Sequence, residues 1–175
     1  MHNSSMKNMN IFVKKYLTEH KNKKLRILDI GSQQIGAHQT YKTFFNNSNW
    51  EYVGVDIVAG NNVNIVLSDI YSWKEVEDNF ADVIISGQAF EHIEYIWLTM
   101  KEVERVVKPG GLICLIAPSA GVEHRYPVDC WRIYPDGFRA LAKYVGLETI
   151  SAYADQNEPP WKDCVLIARK PDNQK

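Results

Sequence analysis

Long hydrophobic runs are missing from this chain. Its longest uninterrupted apolar stretch, residues 112–117, falls far short of the roughly 20 residues that a membrane-spanning helix needs. The amino-terminal stretch is rich in Asn and Lys with no apolar segment, so no secretory signal is expected there. Cysteine is scarce: Cys114, Cys130 and Cys164 are widely scattered, lie outside any CxxC and have no histidine at ligand spacing. That pattern speaks against a disulfide framework and a structural zinc, and predicts a reducing, cytoplasmic setting. Nor is there a surplus of either charge. A formal net charge of -1 over 175 residues, with 45% hydrophobic and 23% charged residues, is a globular composition rather than a disordered or fibrous one. A chain of this length can bury roughly 70% of its unfolded surface, enough for one core.

The near-neutral total hides a division. Residues 1–26 carry seven Lys/Arg against one acid, net +6, and the remainder is net -7. A basic arm either meets a polyanion or an anionic membrane, or is a solvated helix face. Met6, Met9, Val13, Tyr16 and Leu17 recur at helical spacing, which predicts a basic amphipathic helix over 1–23 docked on a domain spanning 24–170. Residues 171–175 are expected to be a disordered tail.

What remains alternates strand and helix. Residues 24–30 read as a strand, followed by a polar stretch and a short helix over about 38–45. Residues 51–56 and 64–67 are the next strands, and Ser72 with Glu75 has the spacing of a capping box opening another short helix. A fourth strand is expected over 81–86. Residues 93–107 place Ile93, Ile96, Trp97, Met100, Val103 and Val107 on one helical stripe that stops before Lys108-Pro109-Gly110-Gly111. The continuously apolar segment 112–117 reads as a central parallel strand. Pro135 opens a helix whose Phe138, Leu141, Ala142 and Val145 share a face and which ends at Gly146. Strands over 147–153 and 163–168 close the chain with only a loop between them. Strands separated by helices are βαβ units, which build a doubly wound, mostly parallel sheet. The last two strands lack a crossover helix, so they should form an antiparallel edge hairpin.

In an open α/β sheet, ligands bind at the carboxyl ends of the strands. Strand one ends in Leu28-Asp29-Ile30-Gly31-Ser32, with Gly36 further on. Glycines there let backbone N–H groups approach a ligand closely. Strand two ends in Asp56, placed to accept from ribose hydroxyls, and strand three in Ser68-Asp69-Ile70, where a second acid can receive an exocyclic amine. Strand four ends in Ser86-Gly87-Gln88, followed by Glu91-His92. Each feature alone also suits a loop acid, a cap or an ordinary turn; together they make a nucleoside-binding row.

These segments, LDIGS (28–32), YVGVDI (52–57), LSDI (67–70), FADVIISGQAFEHI (80–93) and VVKPGGLICLIAPS (106–119), resemble the class I S-adenosylmethionine-dependent methyltransferases. The similarity is greatest to the small bacterial, type 11-like members with an EH pair after strand four and a KPGG turn before strand five, and it covers residues 24–170. The resemblance implies a seven-stranded Rossmann-like sheet with a reversed edge strand and S-adenosyl-L-methionine as cofactor. It also implies that Asp29, Gly31, Ser32 and Gly36 hold the methionine part, Asp56 and Ile57 the ribose side, Asp69 and Ile70 the adenine, with Gly87 and Gln88 beside the methionine amino group. One position departs. The family's first motif usually runs acid-x-Gly-x-Gly-x-Gly, and Gln33 stands at the second glycine. The loop GSQQIG either takes another route through Gly36 or holds the cofactor less well; the intact positions elsewhere favour the first.

Past strand five, residues 123–135 are polar, aromatic and irregular, which makes them the best candidates for acceptor contact. Tyr126, Trp131 and Tyr134 can stack on a sugar or aromatic ring, and Arg125 and Arg132 can fork a phosphate or carboxylate. The same residues would equally serve as packing aromatics and an arginine–aspartate tie. A hydroxyl acceptor needs its proton removed. The candidates are His124 oriented by Asp129, and His92 just after strand four. The expected function is therefore methyl transfer from S-adenosylmethionine to a small polar acceptor, a sugar or saccharide intermediate being the leaning. Two rivals remain: a non-catalytic cofactor-binding domain acting as a partner subunit, and an NAD-dependent dehydrogenase, against which stands the missing GxGxxG. Nucleic acid is an unfavoured substrate, because the site-bearing part is acidic and no NPPY-like tetrapeptide follows strand four. No metal and no membrane partner are expected.

Overall fold

In the computed structural model, which describes residues 3–156 and 159–172, strands and helices follow one another as the pattern of apolar residues requires. The elements are α1 (Asn3–Phe12), β1 (Leu25–Ile30), β2 (Trp50–Asp56), β3 (Ile65–Val66), β4 (Ala81–Gly87), α2 (Ile96–Val106), β5 (Val107–Pro118), α3 (Pro135–Tyr144), β6 (Glu148–Ala154) and β7 (Asp163–Arg169). The strands make one seven-stranded sheet in the order β3-β2-β1-β4-β5-β7-β6. Pairing is parallel from β3 through β5, and β7 runs antiparallel to both of its neighbours, β5 and β6. The expected mostly parallel sheet with a C-terminal edge hairpin is thus present. Its edge is β6, and the reversed strand β7 sits one place in. The chain starts in mid-sheet and winds outward both ways, so the order switches between β1 and β4, where a crevice opens at the carboxyl ends.

Alternation along each strand divides the core. Leu28, Ile30, Val53, Val55, Ile113 and Leu115 belong to the cluster that includes Met100, Val103, Phe138 and Ala142 of α2 and α3. Ile27, Val83, Ile85, Cys114, Ile116, Val165 and Ile167 pack with Met9 and Phe12 of α1 and with Leu17, Tyr41 and Phe45. The amino-terminal stripe docks on this second face: Met9 and Leu17 are fully buried, Met6, Val13 and Tyr16 partly so, while Lys14 and Lys15 are exposed. The first residues of the chain, Asn157 and Glu158 of the β6–β7 loop, and residues 173–175 of the expected tail lie outside the described residues.

Two expected helices are absent. Over 38–45 the chain makes only one 3-10 turn, Tyr41–Phe44. The Asn- and Ser-rich run after it forms competing local bonds, among them Asn49 N–H to Asn47 Oδ1 at 2.9 Å. The capping box at Ser72 does not form either. Glu75 instead accepts from the Ser68 N–H at 3.1 Å, and the Trp73 N–H goes to Glu102 Oε2 at 2.9 Å. Trp73 is buried to 1% exposure with its indole N–H on the Ile70 carbonyl at 2.8 Å. Seating that ring, rather than local capping, sets the path of the chain.

Candidate active site

Parallel neighbours in register bring the chemistry-bearing residues to one edge. Ile30 pairs with Val55 and with Ser86, and Asp56 with Val66, so Gly31, Asp56 and Gly87 stand level at the strand ends, with Asp69 just beyond β3. At about 4.8 Å per strand spacing, the row from Asp69 to Gly87 spans about 14 Å.

Asp29 is the buried end of this row, at 3% exposure. It accepts a hydrogen bond from the Tyr52 hydroxyl. Desolvation pushes its carboxyl up to about 7, the Tyr52 bond partly opposes this, and the Asp56 charge adds to it. The Tyr52 hydroxyl in turn accepts from Asn62 Nδ2 at 3.0 Å.

Gly31 has φ +71°, and a Cβ there would stand 2.5 Å from Ala89 Cβ, so only glycine fits. The N–H groups of Gly31 and Ser32 both donate to the Val55 carbonyl, at 3.0 and 3.1 Å. Gln33 then turns the loop toward the segment after β2: its N–H donates to Asp56 Oδ2 at 3.1 Å, and its side chain covers Gly60. Ser32 Oγ donates to the Asn62 carbonyl at 2.9 Å. Gly36, φ +61°, makes an open turn in which a Cβ would meet nothing within 4 Å. Asp56 also accepts from the Val58 N–H at 3.1 Å; with one backbone bond per oxygen it keeps accepting capacity. Ile57 beside it is 51% exposed, a free apolar face. Asp69 is exposed, with Tyr71 N–H on its Oδ1 at 2.7 Å, and Ile70 is half-buried.

The β4 end is crowded. Any side chain at Gly87 would collide with the Tyr41 ring and hydroxyl, and that hydroxyl is hydrogen-bonded to Ser5 Oγ. Gln88, at φ 59°, donates from Nε2 to Asp163 Oδ1 at 3.1 Å and to Ser5 Oγ at 3.3 Å. Ser4 Oγ donates to Asp163. Gln88 Oε1 is buried and has no hydrogen-bond partner among the described residues. The first turn of α1 therefore closes over the end of β4, a contact that the apolar stripe of that helix gave no sign of.

Beyond β4, a short 3-10 turn at Phe90–His92 carries the second group. Glu91 is completely buried, and neither carboxylate oxygen has a hydrogen-bond partner among the described residues. Burial pushes its pKa up to about 8. Its backbone carbonyl anchors the acceptor loop, accepting from Cys130 N–H at 2.7 Å and Trp131 N–H at 3.2 Å. His92 Nδ1 lies 2.6 Å from the Val128 carbonyl, and burial lowers its pKa. The His124 ring meets the His92 ring edge-on, centroids 5.0 Å apart, and the Trp161 ring at 4.8 Å. The Glu91 side chain and Trp161 are the members of this cluster that sequence reasoning missed; the EH pair was the available signal for the first.

The structure sorts the loop residues. Arg132 is committed to the protein: its guanidinium forks onto Asp129 at 2.6 and 2.7 Å and reaches the Val122 carbonyl at 2.7 Å. The Asp129 side chain is 2% exposed and also accepts from the His124 N–H at 2.6 Å. Its distance to His124 Nδ1 is 3.5 Å, longer than a good hydrogen bond. The Arg132 bond holds the Asp129 carboxyl well below the usual carboxylate range, against burial. Arg125 is outlying and, among the described residues, pairs only with Glu123, at 2.6 Å. Trp131 packs edge-on to Trp97 with its indole N–H on the Ile93 carbonyl at 2.9 Å. Tyr126 stands 6.4 Å from His92, ring to ring, and is 59% exposed, whereas Tyr134 is 65% exposed and precedes α3 as its N-cap.

A wound sheet with this strand order is the Rossmann-like fold of the methyltransferases. The chain matches the model of the family described as "Methyltransferase domain" over residues 28–115, half its length, and it belongs to that family. No curated protein matches it in sequence. Among solved structures it is similar to the CurJ carbon methyltransferase, with TM-score 0.70 and 16% identity over 94% of this chain and 55% of that one. It is also similar to the trans-methyltransferase CalH in complex with SAH, with TM-score 0.69 and 20% identity over 94% and 55%. A third likeness is to a Burkholderia thailandensis 1,6-didemethyltoxoflavin-N1-methyltransferase with bound 1,6-didemethyltoxoflavin and S-adenosylhomocysteine, with TM-score 0.70 and 13% identity over 96% and 79%. The chain spans about half the length of the first two. At these identities the likeness is one of fold. Family and fold together imply S-adenosylmethionine as the cofactor, and no described helix is long and apolar enough to cross a membrane.

Proposed function

We propose that the protein transfers a methyl group from S-adenosylmethionine to a hydroxyl of a small polar acceptor, a sugar or saccharide intermediate in the first instance. The observation that carries this is the buried Asp29 at the end of β1, whose pKa is raised to about 7 and whose carboxylate, among the described residues, is hydrogen-bonded only by a neutral tyrosine hydroxyl. A buried carboxylate without a cation is costly, and the ammonium of the cofactor's methionine part is the cation that fits. The orphaned Gln88 Oε1 and the exposed face of Ile57 fit the same group. On this reading Asp29, Gly31, Ser32 and Gly36 hold the methionine part, Gly87 and Gln88 flank it, Asp56 and Ile57 hold the ribose, and Asp69 and Ile70 the adenine. The bound cofactor supplies an activated sulfonium methyl. This chain's residues orient the acceptor and exclude water, work that can be worth roughly 7–11 kcal/mol. Tyr126, Trp131 and Tyr134 present ring faces to the acceptor, with Arg125 at the rim. His124 takes the hydroxyl proton, and its ring is steadied by Asp129, itself fixed by Arg132; His92 faces it across the site. The test is calorimetry with S-adenosylhomocysteine followed by turnover on a panel of saccharides. Binding tighter than about 1 mM, at least ~4 kcal/mol, with methylation of one panel member is the expected result.

A second reading has its own support. The Tyr41 hydroxyl stands against Gly87 and crowds the β4 end, which suits a cofactor-binding partner subunit without turnover. Binding of the demethylated cofactor with no product from any acceptor would favour it.

A further inference from the structure

We propose that Glu91, His92 and His124 bind one divalent transition-metal ion of the zinc class. One ligand atom from each lies within 4.8 Å of the others, and His92 Nε2 is 3.8 Å from Glu91 Oε1. Ligand atoms about 2.1 Å from one tetrahedral ion stand about 3.4 Å apart. Closing the widest pair therefore takes about 1.4 Å, within reach of side-chain rotation.

The second, independent observation is the carboxylate itself. Glu91 is completely buried and, among the described residues, both its oxygens lack a hydrogen-bond partner, a state that native proteins avoid unless something occupies the site. The histidines are turned to suit an ion. His92 Nδ1 is 2.6 Å from the Val128 carbonyl; the proton belongs on that nitrogen, which leaves the Nε2 lone pair beside Glu91. His124 Nδ1 has the Val122 carbonyl at 3.4 Å and Asp129 Oδ2 at 3.5 Å. A carbonyl bonded behind the imidazole, as Val128 is behind His92, is the arrangement that orients a ligating histidine. The Arg132 guanidinium, 3.5 Å from the same His124 nitrogen, is neutralised by Asp129. Two imidazoles and one carboxylate select zinc, cobalt, nickel or iron over magnesium and calcium. Three protein ligands leave a position open, toward Tyr126 and Trp161.

Metal binding stands whether or not the chain transfers methyl groups. Only the use of the open position by the acceptor hydroxyl rests on the proposed function; there a ligating His124 would give up the role of base, and the ion would acidify the hydroxyl so that its proton passes to solvent water. The test is titration of metal-free protein with Co(II), read by its visible absorption and by calorimetry, then displacement by Zn(II). We expect one equivalent bound, and affinity at least 100-fold weaker in both Glu91→Gln and His124→Gln. His124→Gln alters a side chain 35% exposed and keeps the test valid if the buried Glu91 variant misfolds. Cys130→Ser, which removes the exposed thiol, should leave uptake unchanged. No uptake at millimolar metal, or uptake that follows Cys130 or ignores both ligand variants, overturns the proposal. Calorimetry with S-adenosylhomocysteine on the same samples reports separately on the cofactor reading.

Discussion

Replacing Asp29 by Asn should make the protein more stable, and by an amount that grows with pH. The carboxyl is buried at 3% exposure and titrates near 7 in the folded chain against 3.8 for the free group. A raised folded-state pKa on an acid means that the native state holds the proton more tightly than the unfolded one. Stability therefore falls as pH rises from about 4 to about 7 and then levels off. Some three pH units at about 1.4 kcal/mol each set an upper limit of roughly 4 kcal/mol, lowered by whatever the Tyr52 hydroxyl and local relaxation return. Asn has nearly the same shape, can accept the Tyr52 hydrogen bond and has nothing to ionise. Urea unfolding of both proteins from pH 4 to pH 8, without cofactor, gives the difference curve. The variant should gain at least 1–2 kcal/mol between the two ends. A flat difference, or a wild type that gains with pH, would show that Asp29 is content as an anion and remove the reason for placing the cofactor's ammonium beside it.

Asp56→Asn and Asp69→Asn should each weaken S-adenosylhomocysteine binding about tenfold, the worth of a charged hydrogen bond, with circular dichroism unchanged; calorimetry reads this. Gly31→Ala should cost about 2–4 kcal/mol in urea unfolding, since a positive φ and a Cβ 2.5 Å from Ala89 add backbone strain to overpacking. Arg132→Met should cost about 3–5 kcal/mol at neutral pH by stranding the Asp129 carboxylate. Because the folded pKa of Asp129 is depressed, its contribution is present above about pH 4 and lost as pH falls below that. The cost of Arg132→Met should accordingly shrink when the melts are repeated at pH 3.

Much of this protein was settled by its sequence. The strand expected at 81–86, the stripe of Ile96, Met100 and Val103 on α2 and the hairpin of β6 and β7 follow from runs and periods a few residues long, which local sterics and burial translate directly into elements. Parallel strands then carry Asp29, Asp56, Asp69 and Gly87 to one edge whatever their distance along the chain. What depends on contacts between remote segments had to await the tertiary structure. Ser5 and Tyr41 are 36 residues apart and Gln88 and Asp163 are 75 apart, and no local pattern announces that α1 seals the β4 end. Burial of Trp73 against the core overrode a sound capping box, because seating a large ring is worth more than one cap. Glu91 reads in the sequence as one more acid beside a histidine. Only packing could show it enclosed without a hydrogen-bond partner among the described residues, since solvation belongs to the folded surroundings of a residue and not to its neighbours in the chain.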